Sequence, residues 1–162
     1  FSVQQLCEGV LWLAMTKPAY AELQAPFTVI FLFFAQVVWP IWVPVAILLL
    51  DSKRKTAQKI LVGLGAIVSA YLAYCLINFH NEASITGYHI AYLQDYPSSL
   101  GLYSGFFYVI ATITPSFLSG YRRMWLLGSS VLISYIITAI FYSDYIVSVW
   151  CFFAAVISIF CT

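Results

Sequence analysis

Apolar residues fill this chain in nearly continuous stretches, several of them about the twenty residues a helix needs to cross a bilayer. The stretches are 1–15, 26–50, 58–79, 100–119, 125–141 and 146–162, with polar residues gathered between them. Residues are not alternately apolar and polar within the runs, as strands of a membrane barrel would require. Helices satisfy every backbone N–H and C=O internally, so the pattern predicts an all-α, polytopic transmembrane helix bundle in one integral membrane domain. Pro26 opens the second stretch at a favourable helix-start position, whereas Pro40 and Pro44 inside it remove backbone donors and predict a packing bend. Gly63, Gly65, Ala66, Ser69, Ala70 and Ala73 give the third stretch a close-packing face.

The longest polar interruption is 78–99 (NFHNEASITGYHIAYLQDYPSS), which holds both histidines and is expected to form a short interfacial or re-entrant helix. The basic residues set a topology by position. Loops 51–59 and 120–124 carry six of the seven lysines and arginines, and the alternate loops carry only Lys17. The positive-inside rule then places 51–59 and 120–124 in the cytoplasm and 80–100 outside. Tyr88, Tyr92, Tyr96 and Tyr103 on one side, with Trp39, Trp42 and Trp125 on the other, read as interfacial belts. Phe1 and the apolar ending at Thr162 read as cut ends of a longer protein.

Composition removes the soluble alternative. The chain is 63% hydrophobic and 8% charged, against about 25% charged in an ordinary soluble domain. A net charge of +1 gives no field for nucleic acid, so the expected partners are membrane lipids and other membrane subunits. Cys7, Cys75, Cys151 and Cys161 lie in apolar runs without metal-binding spacing and read as small core residues.

Few residues can carry chemistry. Glu8 lies within an apolar run, with Gln4 and Gln5 on the same helical face. A carboxylate in hydrocarbon costs on the order of 3 kcal/mol, so Glu8 faces the bundle interior. The polar stretch adds Asn78, His80, Glu82, His89, Tyr92 and Asp95. His80 and His89 are the only conceivable zinc ligands, but their spacing fits no metal motif and no third histidine exists, so no metal or other cofactor is expected. Asp144 reads as a turn residue, and Lys53, Arg54, Lys55 and Lys59 as a lipid-headgroup contact. Phosphate loops and a nucleophile elbow are missing.

Several segments resemble a known family: QQLCEGVLWL at 4–13, FFAQVVWPIWVP at 33–44, TGYHIAY at 86–92 and SVWCFFAA at 148–155. Together they are similar to an uncharacterised family of small multi-pass bacterial membrane proteins whose members typically begin Met-Cys-Phe-Ser. The resemblance implies an upstream helix, seven spans in the full protein, an outside N-terminus, a bacterial inner-membrane location and no assigned activity. The residues themselves favour a binding or transport-like protein over an enzyme, without deciding between the two. Its outward-facing cavity for a lipid or small amphiphile would be floored by Glu8 and rimmed by the polar stretch. The alternatives are an accessory structural subunit of a membrane complex and a metal-dependent intramembrane hydrolase. The latter is similar to alkaline-ceramidase-type enzymes only in helix count, without their histidine triplet.

Overall fold

In the computed structural model, residues 2–50, 55–142 and 145–160 are described; Phe1, Lys53, Arg54, Asp144 and Cys161 lie outside this set. Helix α1 covers Ser2–Thr16. A 3-10 turn over Pro18–Leu23 leads into α2 (Gln24–Leu32), a π-helical turn (Phe33–Val38) and α3 (Trp39–Leu50). Helices α4 (Lys55–Asn78), α5 (Ser98–Leu118), α6 (Arg122–Phe141) and α7 (Ile146–Phe160) follow. Among the described residues, Pro18–Leu50, Lys55–Asn78 and Arg122–Phe141 are long and apolar enough to cross a membrane. At 1.5 Å per residue, α4 alone is ~36 Å long.

The polar stretch departs from the sequence expectation. It forms an antiparallel hairpin of β1 (Asn81–Thr86) and β2 (His89–Gln94), not a helix. Gly87-Tyr88 is its two-residue turn, and Gly87 sits at φ +64, where a side chain would meet its own backbone. Ala83, Ile85, Ile90 and Tyr92 alternate onto one face, and Ala83 and Ile90 are fully buried there. Burying that face against helices stabilises strand pairing that an isolated hairpin would not hold. Side chains fasten it: Asn81 Nδ2 donates to Leu76 O (3.1 Å) and Phe79 O (2.8 Å), and Gln24 Nε2 donates to Ala83 O at 2.7 Å.

Beneath the hairpin lies the principal apolar core, built from Cys7, Leu11, Phe31, Leu32, Leu76 and Cys151 with hairpin residues Ala83 and Ile90. Helices α3, α4 and α5 pack against one another beside it, and α5 leads through α6 to α7, which touches α1 and β2. Helix α4 begins near Lys55 and Lys59 and ends at the hairpin, so those basic residues and the hairpin lie at opposite ends of the helix.

The proline disturbance takes a specific form. Pro40 cannot donate to carbonyls a turn before it, and the backbone there relaxes into the π turn at Phe33–Val38. Neighbouring helices supply donors: the Tyr108 hydroxyl donates to Ala35 O, and Ser69 Oγ to Val37 O at 2.8 Å. Gly65 lets α4 approach so closely that an added Cβ would lie 1.9 Å from Pro40 O. Gln58, fully buried, donates from Nε2 to Pro115 O at 3.1 Å and ties α4 to α5.

Candidate functional site

The hairpin tip, α1 and α7 line a partly open cavity of about 480 Å3. Its polar residues are Gln5 and Glu8 from α1, Ser148 from α7, and His89 and Tyr88 from the tip. Trp12, Tyr142, Phe152 and Phe153 supply aromatic wall. Sequence spacing alone cannot place α1 beside the hairpin. The fold does so by packing both onto the Leu11–Ile90 core.

Glu8 is 8% exposed and accepts a hydrogen bond from Ser148 Oγ, which joins α1 to α7. One helical turn earlier on the same face, the Gln5 side-chain amide is buried beside the Glu8 carboxyl and directs an N–H toward it. His89 is half-buried between two tyrosines: its ring stacks on Tyr145 (centroids 5.2 Å, interplanar 30°) and meets Tyr142 edge-on at 5.3 Å. A carboxyl and an aromatic wall together suit a cation with an apolar body, since ring faces attract positive charge.

The remaining candidates disperse. Gln4 is buried deeper and fully engaged, donating to Cys151 Sγ (3.1 Å) and accepting from Trp39 Nε1 (2.8 Å), so it braces three helices. Asn78 is exposed and donates to Tyr74 O at the end of α4. His80 and Glu82 form an exposed pair, Nε2 to Oε2 3.7 Å, and Asp95 contributes only its N–H, to His80 O at 3.2 Å. Because Asn81 pairs with Gln94 and Thr86 with His89, the two histidines occupy opposite ends of the hairpin. Roughly 20 Å of strand separates them, so a single ion cannot bridge the pair. Among the described residues no three His, Cys, Asp or Glu side chains gather as metal ligands.

Tyr92 belongs to the core and not to an interfacial belt: its ring stacks on Phe31, centroids 4.7 Å and planes 4° apart. Burial, with the nearby Glu8 charge second, pushes its phenol well above the usual tyrosine range, and its hydroxyl has no partner. Trp39 and Tyr96 also turn inward, whereas Tyr88, Tyr103, Trp42 and Trp125 are exposed.

The model of a family of unknown function, DUF6629, matches residues 1–162. The chain belongs to that family. This agrees with the resemblance to an uncharacterised family carried by the segments around Glu8, Pro40, Gly87 and Ser148. Neither a curated protein nor a solved structure matches it. DUF6629 membership brings no activity, so any functional reading rests on the site itself. Ser148, Tyr142 and Tyr145 are site residues that the sequence reading passed over. Ser148 carried a usable signal, being a hydroxyl inside an apolar run where a buried acid needs a donor.

Proposed function

We propose that the protein is a multi-pass integral membrane protein that binds a small amphiphile with an amine or ammonium head. The cavity would open on the non-cytoplasmic side, with the basic segments 51–59 and 120–124 facing the cytoplasm. The observation that carries this reading is the meeting of buried Glu8 with His89 and aromatic side chains in one cavity. In this role Glu8 contacts the cationic head, Gln5 holds the carboxyl in place, and Trp12 and Tyr142 shield the charge from hydrocarbon. Binding here involves no bond making, so the reading is of a binding or transport-like protein, not of an enzyme.

Octyltrimethylammonium tests the reading on protein in lipid nanodiscs. Saturable binding is expected, weakened about ten- to hundredfold by Glu8→Gln, the range that corresponds to losing an interaction of ~1.5–3 kcal/mol with a charged group. Octyl sulfate should not compete. Equal affinity in wild type and Glu8→Gln, or equal competition by the anion, would overturn it.

A further inference from the structure

On the opposite side of α7 lies a second cavity, of about 340 Å3, between the π turn, α5, α6 and the end of β2. Its volume falls within the roughly 300–1,000 Å3 of small-molecule sites. No charged side chain lines it. On one edge three polar side chains form a closed hydrogen-bonded ring. Gln36 Nε2 donates to Gln94 Oε1 (3.0 Å), Gln94 Nε2 to the Tyr96 hydroxyl (3.4 Å), and that hydroxyl to Gln36 Oε1 (3.0 Å). Gln36 projects from the loosened π turn, so the Pro40 disturbance holds one member of the ring in place.

Counting donors shows what the ring leaves over. Two glutamine amides and a phenol carry five N–H or O–H groups, and the ring uses one from each residue. Both amide oxygens already accept a bond, while each glutamine retains an N–H. Trp150 also lines the cavity, and its Nε1 is covered by neighbouring atoms without a hydrogen-bond partner, the ring held edge-on by Tyr108 (5.8 Å) and Tyr135 (5.1 Å). A buried unpartnered N–H costs about 1–3 kcal/mol, and an acceptor that enters the cavity and displaces the side-chain packing over the indole edge would recover it. Apolar Ala35, Leu72, Val109, Ile146 and Val147 supply much of the remaining wall, with the Ser104 hydroxyl among them. An anion here would be desolvated with no cation to balance it.

We propose that this cavity is a second binding site, separate from the Glu8 cavity, for a neutral molecule with an apolar body and a carbonyl acceptor, such as a neutral acyl ester. The carbonyl oxygen takes the Trp150 N–H, and the glutamine edge serves a second oxygen.

The test is photolabelling of the full chain in nanodiscs with a monoacylglycerol bearing a diazirine in its acyl chain, with labelled peptides sequenced. Saturable labelling is expected on the segments carrying Tyr108, Tyr135 and Val147, displaced by unlabelled monoacylglycerol but not by decanoate or octyltrimethylammonium. Trp150→Phe keeps the ring packing and removes only the N–H, and should weaken labelling about fivefold, the equivalent of one hydrogen bond. Gln94→Leu should weaken it comparably through the opposite edge, which keeps the test decisive if one variant fails to fold. Glu8→Gln should leave labelling unchanged, so failure here is distinguishable from failure of the ammonium site. Non-saturable labelling, undiminished labelling in folded Trp150→Phe and Gln94→Leu, or displacement by decanoate would overturn the proposal.

Discussion

Replacing Gly65 by alanine probes the contact that holds the loosened helix against its neighbour. The new Cβ would lie 1.9 Å from Pro40 O and 2.9 Å from Pro40 C. Non-bonded atoms rest at about 3.5 Å, so α4 must withdraw from α3 by more than ~1 Å. Overpacking of this kind costs ~1–3 kcal/mol. Withdrawal also loosens the bond from Ser69 Oγ to Val37 O one turn along, worth about 0.6 kcal/mol if it behaves as interhelical bonds in membranes do. Gly63→Ala is the matched control, because nothing lies within 4 Å of its Cβ position. Both variants gain up to ~1 kcal/mol of helix propensity, which cancels in the comparison. The expected gap is therefore about 1.6–3.6 kcal/mol, with Gly65→Ala the less stable. Unfolding in mixed micelles of rising dodecyl sulfate content, followed by circular dichroism, measures it. Equal midpoints would refute the close approach of α3 and α4 and, with it, the placement of Gln36.

Other substitutions test separate parts of the account. Tyr92→Phe keeps the Phe31 stack and removes a buried hydroxyl that has no partner, so stability in the same assay should stay level or rise by up to ~1 kcal/mol; a clear loss would mean the hydroxyl is bonded. Ser148→Ala strips Glu8 of its donor and should destabilise by about 1–3 kcal/mol, while the same change in a Glu8→Leu background should cost far less. A double-mutant cycle with no coupling would contradict the bond. Gly87→Val places a β-branched residue at φ +64 and should cost at least ~1 kcal/mol of local stability, read as faster amide exchange in β1 and β2; unchanged exchange would exclude the tight turn.

Helix positions were legible because apolar runs and their polar breaks are local signals: α4, α5 and α6 fall within a few residues of the stretches at 58–79, 100–119 and 125–141. The hairpin was hidden by its length and setting. Six-residue strands flanked by helices offer little periodicity, and His80, Glu82 and Asp95 suggested a polar loop. The Ile85-Thr86-Gly87-Tyr88-His89-Ile90 segment nonetheless has a glycine-led two-residue turn between β-branched residues, which is a hairpin signal. Glu8 was recognisable as a buried acid from its surroundings alone. Its partner Ser148 lies 140 residues away, and such pairing depends on helix order, which one sequence does not specify. Gln36 and Gln94 were passed over for the same reason, since each reads as an isolated amide until the π turn and the strand end bring them together.

Histidine-selective isotope labelling tests the central claim most directly, because the chain holds just two histidines, one in the Glu8 cavity and one at the far end of the hairpin. Ring resonances of nanodisc-embedded protein would be followed by NMR as octyltrimethylammonium is added, with His80→Ala providing the assignment. The account predicts a saturable shift of His89, no shift of His80, and loss of the response in Glu8→Gln. A shift of His80 alone, equal shifts of both rings, or an undiminished response in Glu8→Gln would contradict it.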